Sequence, residues 1–199
     1  MIPVFPIVYF GSIAYFKELA KYSEVFIETK ENFPKQSYRN RCEIVGSNGI
    51  LSLSIPTKRN NGSKTPIDEV ILSKEENWKK RHWRSITSAY QSAPFFDHYG
   101  MEVEELLFGE DINFLTFNEN ILKRMIQWLD LDIKISRTIE FASIKENDYR
   151  SFIAEKNNFE TKITSPYIQV FPADESFSLS LSMLDAIMCE GPLARNLLL

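Results

Sequence analysis

Residues 4–10, VFPIVYF, are continuously apolar and lack the alternation of a half-exposed strand, which predicts a strand covered on both faces. Gly11-Ser12 ends the run, and Ser12 is placed to cap a helix whose apolar residues Ile13, Phe16 and Ala20 recur at helical spacing between Lys17, Glu18 and Lys21. A second apolar run, Val25-Phe26-Ile27, follows directly. Strand, short helix and strand in so short a span read as a βαβ unit with parallel strands and a right-handed crossover. The ends of both strands, at Tyr9 to Ser12 and from Glu28 onward, then meet at one sheet edge, the edge at which open α/β folds bind ligands.

The polar stretch 29–41, TKENFPKQSYRNR, leads into a strand at 42–45, and Asn48-Gly49 predicts a tight turn into a second strand at 50–55. Residues 56–66 read as an exposed loop and 70–72 as a short strand. Over 77–93, Trp78, His82, Trp83, Ile86, Ala89, Tyr90 and Ala93 share one side at helical spacing, with Lys80, Arg81, Arg84, Ser88 and Gln91 opposite, and Pro94 stops the helix. A short helix is expected over 103–108. Thr116 with Glu119 predicts a capping box before a helix carrying Phe117, Ile121, Leu122, Met125, Trp128 and Leu129. Ile133 and Ile135 suggest a strand, 167–171 another, and 181–189 a last helix ended by Gly191-Pro192. The class is therefore α/β: an N-terminal βαβ unit with a parallel sheet, an attached antiparallel hairpin and a helical middle section, in one domain over residues 1–199.

Composition narrows the function. With 44% hydrophobic residues in 199, the chain can build a core, which excludes disorder. Its 27 acidic and 23 basic side chains leave a net charge of -4, without the basic footprint that nucleic acid requires. Residues 1–16 carry no charge, but Pro3, Pro6 and Gly11 interrupt them, no Lys or Arg precedes them, and they fall short of the roughly 20 residues that span a bilayer. No membrane span or export signal is expected. Cys42 and Cys189 form neither a disulfide framework nor a metal-ligand spacing, so no metal and no cofactor is expected, and the compartment is cytoplasmic. Glycine-rich nucleotide loops and the GxSxG, HExxH and CxxC motifs are absent.

Candidate chemistry concentrates in Lys35-Gln36-Ser37-Tyr38-Arg39-Asn40-Arg41, beside the expected ligand edge. Arg39 and Arg41 offer paired donors to phosphate or carboxylate, and in an extended segment they share a face. The plainer reading is a solvated loop. His82 lies within the apolar stripe of its helix, where an imidazole is either tuned for proton transfer or held as a core histidine by one hydrogen bond. His98 has no supporting context. Lys79-Lys80-Arg81 with Arg84 read as a solvated outer face. Asp185, near the start of the last helix, is suited to capping it.

Several segments together resemble one family: Ile13-Ala14-Tyr15-Phe16, the stretch from Gln36 to Arg41, Leu53-Ser54-Ile55-Pro56, the helix from Trp78 to His82 with Ala89-Tyr90 and Pro94-Phe95-Phe96, the stretch from Tyr167 to Phe171, and Leu181 to Asp185 with Gly191-Pro192. In their order and spacing the chain resembles the WbqC-like family of bacterial proteins. The resemblance implies a cytoplasmic transferase of surface-polysaccharide (O-antigen type) or sugar metabolism, with glycyl or other acyl transfer to a sugar as one form of it. On this reading His82 and Asp185 are the catalytic candidates, and Lys35, Tyr38, Arg39, Asn40, Arg41, Tyr90 and Gln169 bind the substrate, a small molecule such as a nucleotide-sugar or acyl donor. The chain departs from the family pattern with Ile7-Val8-Tyr9-Phe10 after strand one, where many relatives carry a Gln-Pro-Tyr type segment, and with Glu28-Thr29-Lys30-Glu31 after strand two. One alternative is a nucleotide-binding, nucleotidylyltransferase-like enzyme, against which the missing HxGH-type histidines count. Another is a non-catalytic binding or assembly protein that docks through exposed aromatics among Phe95, Phe96 and Tyr99. The mechanism requires the arginine pair and His82 to share one hollow at the carboxyl rim of the sheet.

Overall fold

The opening apolar run splits in two. Strand β1 covers Val4–Pro6, and residues 7–10 leave the ladder while staying buried. The exit has visible causes: Phe10 takes a left-handed backbone with φ of 40°, its carbonyl accepts the Ser182 hydroxyl at 2.6 Å, and Tyr9 N–H reaches the Tyr38 carbonyl at 3.5 Å. Ser12 Oγ then accepts from Tyr15 N–H at 3.1 Å and caps helix α1 (Ile13–Leu19) as expected. Strand β2 (Glu24–Glu28) runs parallel to β1, with Val4 opposite Phe26 and Pro6 opposite Glu28.

A computed structural model of the chain describes residues 2–34, 37–74, 77–141, 146–151, 167–171 and 179–199. Strands β3 (Arg41–Gly46) and β4 (Gly49–Ser54) form the antiparallel hairpin, turned at Gly49 with φ of 96°. Two short strands, β5 (Thr57–Lys58) and β6 (Ile71–Leu72), pair antiparallel beyond it. Helices α2 (Trp78–Tyr90), α3 (Phe96–Phe108) and α4 (Phe114–Trp128) make the helical middle. Strand β7 (Lys134–Arg137) returns parallel to β2, giving the sheet order β1-β2-β7. The chain is thus α/β, with a parallel sheet and an attached hairpin. Helix α5 (Met183–Glu190) closes on Gly191, whose φ is 58°, and a 3-10 segment follows over Gly191–Leu198.

The structure corrects several expectations. Helix α3 begins at Phe96 rather than Val103, because Tyr99, Val103 and Leu107 extend its buried stripe. Helix α4 is capped by Asn113, whose Oδ1 accepts from Thr116 N–H at 3.0 Å; Glu119 makes no capping box and instead takes both Arg137 Nε and Nη2 at 2.7 Å. Residues 167–171 form no strand. The aromatics expected to dock a partner face inward, since they start a helix packed on α2 and α5: Phe95 lies against Gly191, Phe96 stacks on Trp83 and Tyr99 is buried. Among the described residues no helix is long and apolar enough to cross a membrane.

Candidate functional site

Strand register builds the rim of the parallel sheet. Asn147 O accepts from Val4 N–H at 3.0 Å and Tyr149 N–H donates to Val4 O at 2.9 Å, so this segment runs parallel along the outer edge of β1. Its next residue, Arg150, therefore emerges at the carboxyl end, beside Glu28 at the end of β2. Glu28 is fully buried and accepts from Arg150 Nη1 at 2.8 Å, Thr138 Oγ1 at 2.9 Å and Lys30 N–H at 2.8 Å. Arg150 also grips Asp148 through Nε and Nη2 at 2.8 and 2.6 Å, which holds that carboxyl below its ordinary range. The Arg150 carbonyl accepts Arg39 Nη2 at 2.9 Å, and Arg39 in turn holds Glu31 by a fork at 2.7 and 2.8 Å. Burial pushes the Glu31 carboxyl up, with Arg39 opposing the shift.

The segment carrying Arg39 is a turn, not the extended stretch that would set two arginines on one face. Asn40 N–H closes on Ser37 O at 3.3 Å. Arg39 points into the ion network, whereas the Arg41 guanidinium lies over the Tyr38 ring, 5.3 Å from its centroid. Burial pushes the Tyr38 phenol up to about 12. Asn40 Nδ2 donates to Ile55 O at 3.1 Å. In each of these three residues one buried polar atom has no partner: Arg39 Nη1, Asn40 Oδ1 and Arg41 Nε. Lys35 lies outside the described residues.

A second polar cluster forms around Asp185, only 1% exposed. Ser182 Oγ, accepting from Leu184 N–H at 3.1 Å, caps α5, so the capping role expected of Asp185 falls to its neighbour. The Asp185 carboxylate instead accepts from Tyr90 Oη at 2.9 Å, Tyr167 Oη at 2.6 Å and Gln169 Nε2 at 2.8 Å. Tyr90, Gln169 and Asp185 are thus brought together, and Tyr167 joins them. Burial pushes the Asp185 carboxyl up, against the pull of its three donors.

His82 is held elsewhere. Its ring is 5% exposed, Nδ1 lies 2.8 Å from Tyr9 Oη, and a further bond runs to the Ser54 backbone. The Tyr9 hydroxyl and the Ser54 backbone are thus the polar partners of the ring. Burial lowers the imidazole to about 4, so it is neutral at pH 7. Trp78 and Phe117 pack around this pair, edge-on to one another. His82 is therefore bonded to Tyr9 and Ser54, while Arg39 is bonded to Glu31 and Arg150. The Lys79 side chain also leaves the solvated face: it donates to Gly109 O at 2.8 Å over the Trp78 and Phe117 rings.

Glu28, Glu31, Arg150 and Tyr167 escaped sequence reasoning. Glu28 had a usable signal, a carboxylate at the end of a parallel strand. Arg150 had none, because its place depends on an edge pairing that no local pattern announces. Among the described residues no group of three or more His, Cys, Asp and Glu side chains is arranged to hold a metal.

Together these features define an α/β protein with buried polar clusters at and behind the rim of a short parallel sheet. Residues 8–157 match the WbqC-like protein family, and the chain belongs to it. It is similar, at 22% identity over 128 residues, to "Uncharacterized protein Rv1507c" of Mycobacterium tuberculosis (strain ATCC 25618 / H37Rv); the alignment covers 64% of this chain and 55% of that protein. The chain thus spans about half the length of the curated relative it matches. No solved structure matches it.

Proposed function

We propose that the chain is a transferase of surface-polysaccharide or sugar metabolism that grips an anionic group of a small substrate at the turn formed by residues 37–41. One observation carries the reading: Arg39, Asn40 and Arg41 are consecutive, and each keeps a buried polar atom unpaired, two of them guanidinium donors and one an amide acceptor. An unpaired buried polar group costs about 1–3 kcal/mol, so three in one turn are explained by a ligand that supplies their partners. Guanidinium donors suit phosphate or carboxylate, and a nucleotide-sugar or an acyl donor brings such a group. The turn also lies at the carboxyl rim of the parallel sheet, where α/β proteins place ligands. Proton transfer is assigned to Asp185, to which Tyr90 and Gln169 bond, in preference to His82, whose Nδ1 is taken by Tyr9.

The test is binding by thermal shift and calorimetry across nucleotide-sugars and acyl or aminoacyl donors, where a ligand at 100 times its dissociation constant stabilises by about 2.7 kcal/mol. Arg41 makes no ion pair among the described residues, so Arg41→Gln should fold normally and bind the responding ligand at least tenfold more weakly. A panel that leaves the protein unshifted, or a variant that binds as well as the parent, refutes the proposal.

A further inference from the structure

The side-chain amide of Gln169, 8% exposed, fits its surroundings in one sense only. Its Nε2 donates to the Asp185 carboxylate at 2.8 Å, and turning the amide over would set oxygen against oxygen. Oε1 is therefore an acceptor, buried and without a donor. Beside it, the described partners of Asp185 are all neutral: two phenols and an amide, with the adjacent Cys189 thiol pushed up to about 12 by burial. A carboxylate offers about four acceptor positions, and three donors occupy it here. The empty amide acceptor thus belongs to a side chain bonded directly to the carboxylate, whose Oδ1 holds one donor where Oδ2 holds two, and among the described residues no cationic side chain bonds to Asp185.

We infer that Gln169 and Asp185 form a subsite for a primary ammonium group of the ligand, one N–H going to Gln169 Oε1 and another to Asp185. The inference rests on the reading that this chain binds a small substrate, and adds to it a cationic recognition point separate from the arginine turn. A water or hydroxyl would satisfy the amide acceptor but leave the carboxylate charge uncompensated, whereas an ammonium satisfies both.

The probe is methylammonium chloride, with methanol as the neutral counterpart and sodium chloride as the ionic control, read by thermal shift and by protein-observed NMR. Saturable stabilisation by methylammonium alone is expected. Gln169→Leu should weaken the apparent affinity at least tenfold and Asp185→Asn should abolish it; if the latter variant fails to fold, the former decides. A methylammonium response no larger than that of sodium chloride or methanol, or an unchanged affinity in Gln169→Leu, overturns the inference. Inorganic phosphate titrated in parallel reports on the arginine turn. A phosphate response without an amine response sinks this inference alone, and an amine response without a phosphate response supports it while sinking the anion site.

Discussion

His82 makes the acid stability of this protein predictable in sign and size. Its imidazole is sealed between Tyr9 and the Ser54 backbone, and burial takes it from 6.5 to about 4. The unfolded chain therefore binds a proton at this residue between those values while the folded chain does not, so stability falls as pH falls through that window. Integrating one site with these two values gives a loss of roughly 2 kcal/mol by pH 5 and about 3 kcal/mol by pH 4. For a chain of this size, 2 kcal/mol corresponds to roughly 4–8 °C in Tm. The reagent is His82→Gln, whose amide can donate as well as accept toward Tyr9 and the Ser54 backbone but does not titrate. Comparing Tm of parent and variant from pH 7.5 to 4.5 removes what Asp185 and Glu31 contribute, for their raised carboxyls act in the opposite sense, stabilising at low pH and losing that contribution as pH rises. The variant's advantage should grow steadily below pH 6.5. Parallel profiles would show that the imidazole is protonated in the folded state, and with it that His82 is open to solvent or to an acid.

Two further predictions concern stability. Arg150→Gln leaves Glu28 fully buried with one charged partner fewer, and should cost about 3–5 kcal/mol in denaturant unfolding, whereas Lys134→Gln, at the exposed pair with Glu24, should change stability by less than about 1 kcal/mol; equal effects would mean that the rim network is hydrated. Gly191→Ala meets both a left-handed backbone at φ 58° and the Phe95 ring, which the added methyl carbon would overlap, so it should destabilise by roughly 2–4 kcal/mol, with partial recovery in the double variant with Phe95→Leu; a cost under about 1 kcal/mol would show that α5 can re-seat.

What the sequence makes legible here is whatever depends on neighbours along the chain. The capping Ser12, the Asn48-Gly49 hairpin, the apolar stripe of α2 and the glycine stop of α5 rest on interactions a few residues apart, and all are present in the fold. Local signals fail where a tertiary partner outbids them. Thr116 and Glu119 spell a capping box, yet Arg137 claims the glutamate and Asn113 the helix end. The continuous apolar run 4–10 reads as one strand until Ser182, 172 positions away, takes the Phe10 carbonyl.

The candidate sites are built largely from contacts of this second kind. Glu28 meets Arg150 across 122 positions, Arg39 meets it across 111, and Tyr90 meets Asp185 across 95. Sequence could name Arg39, Tyr90, Gln169 and Asp185 as polar residues in suggestive places. It could not show that Arg39 and His82 keep different company, or that Gln169 bonds directly to Asp185. This division bears on how the protein works. An anion held by the turn at 37–41 would press on Arg39, whose guanidinium is fastened to the Arg150 carbonyl and through Arg150 to the end of β2. On this proposal the rim network would give the ligand a rigid footing of buried, mutually paired charges, with the unpaired atoms of Arg39, Asn40 and Arg41 as its partners.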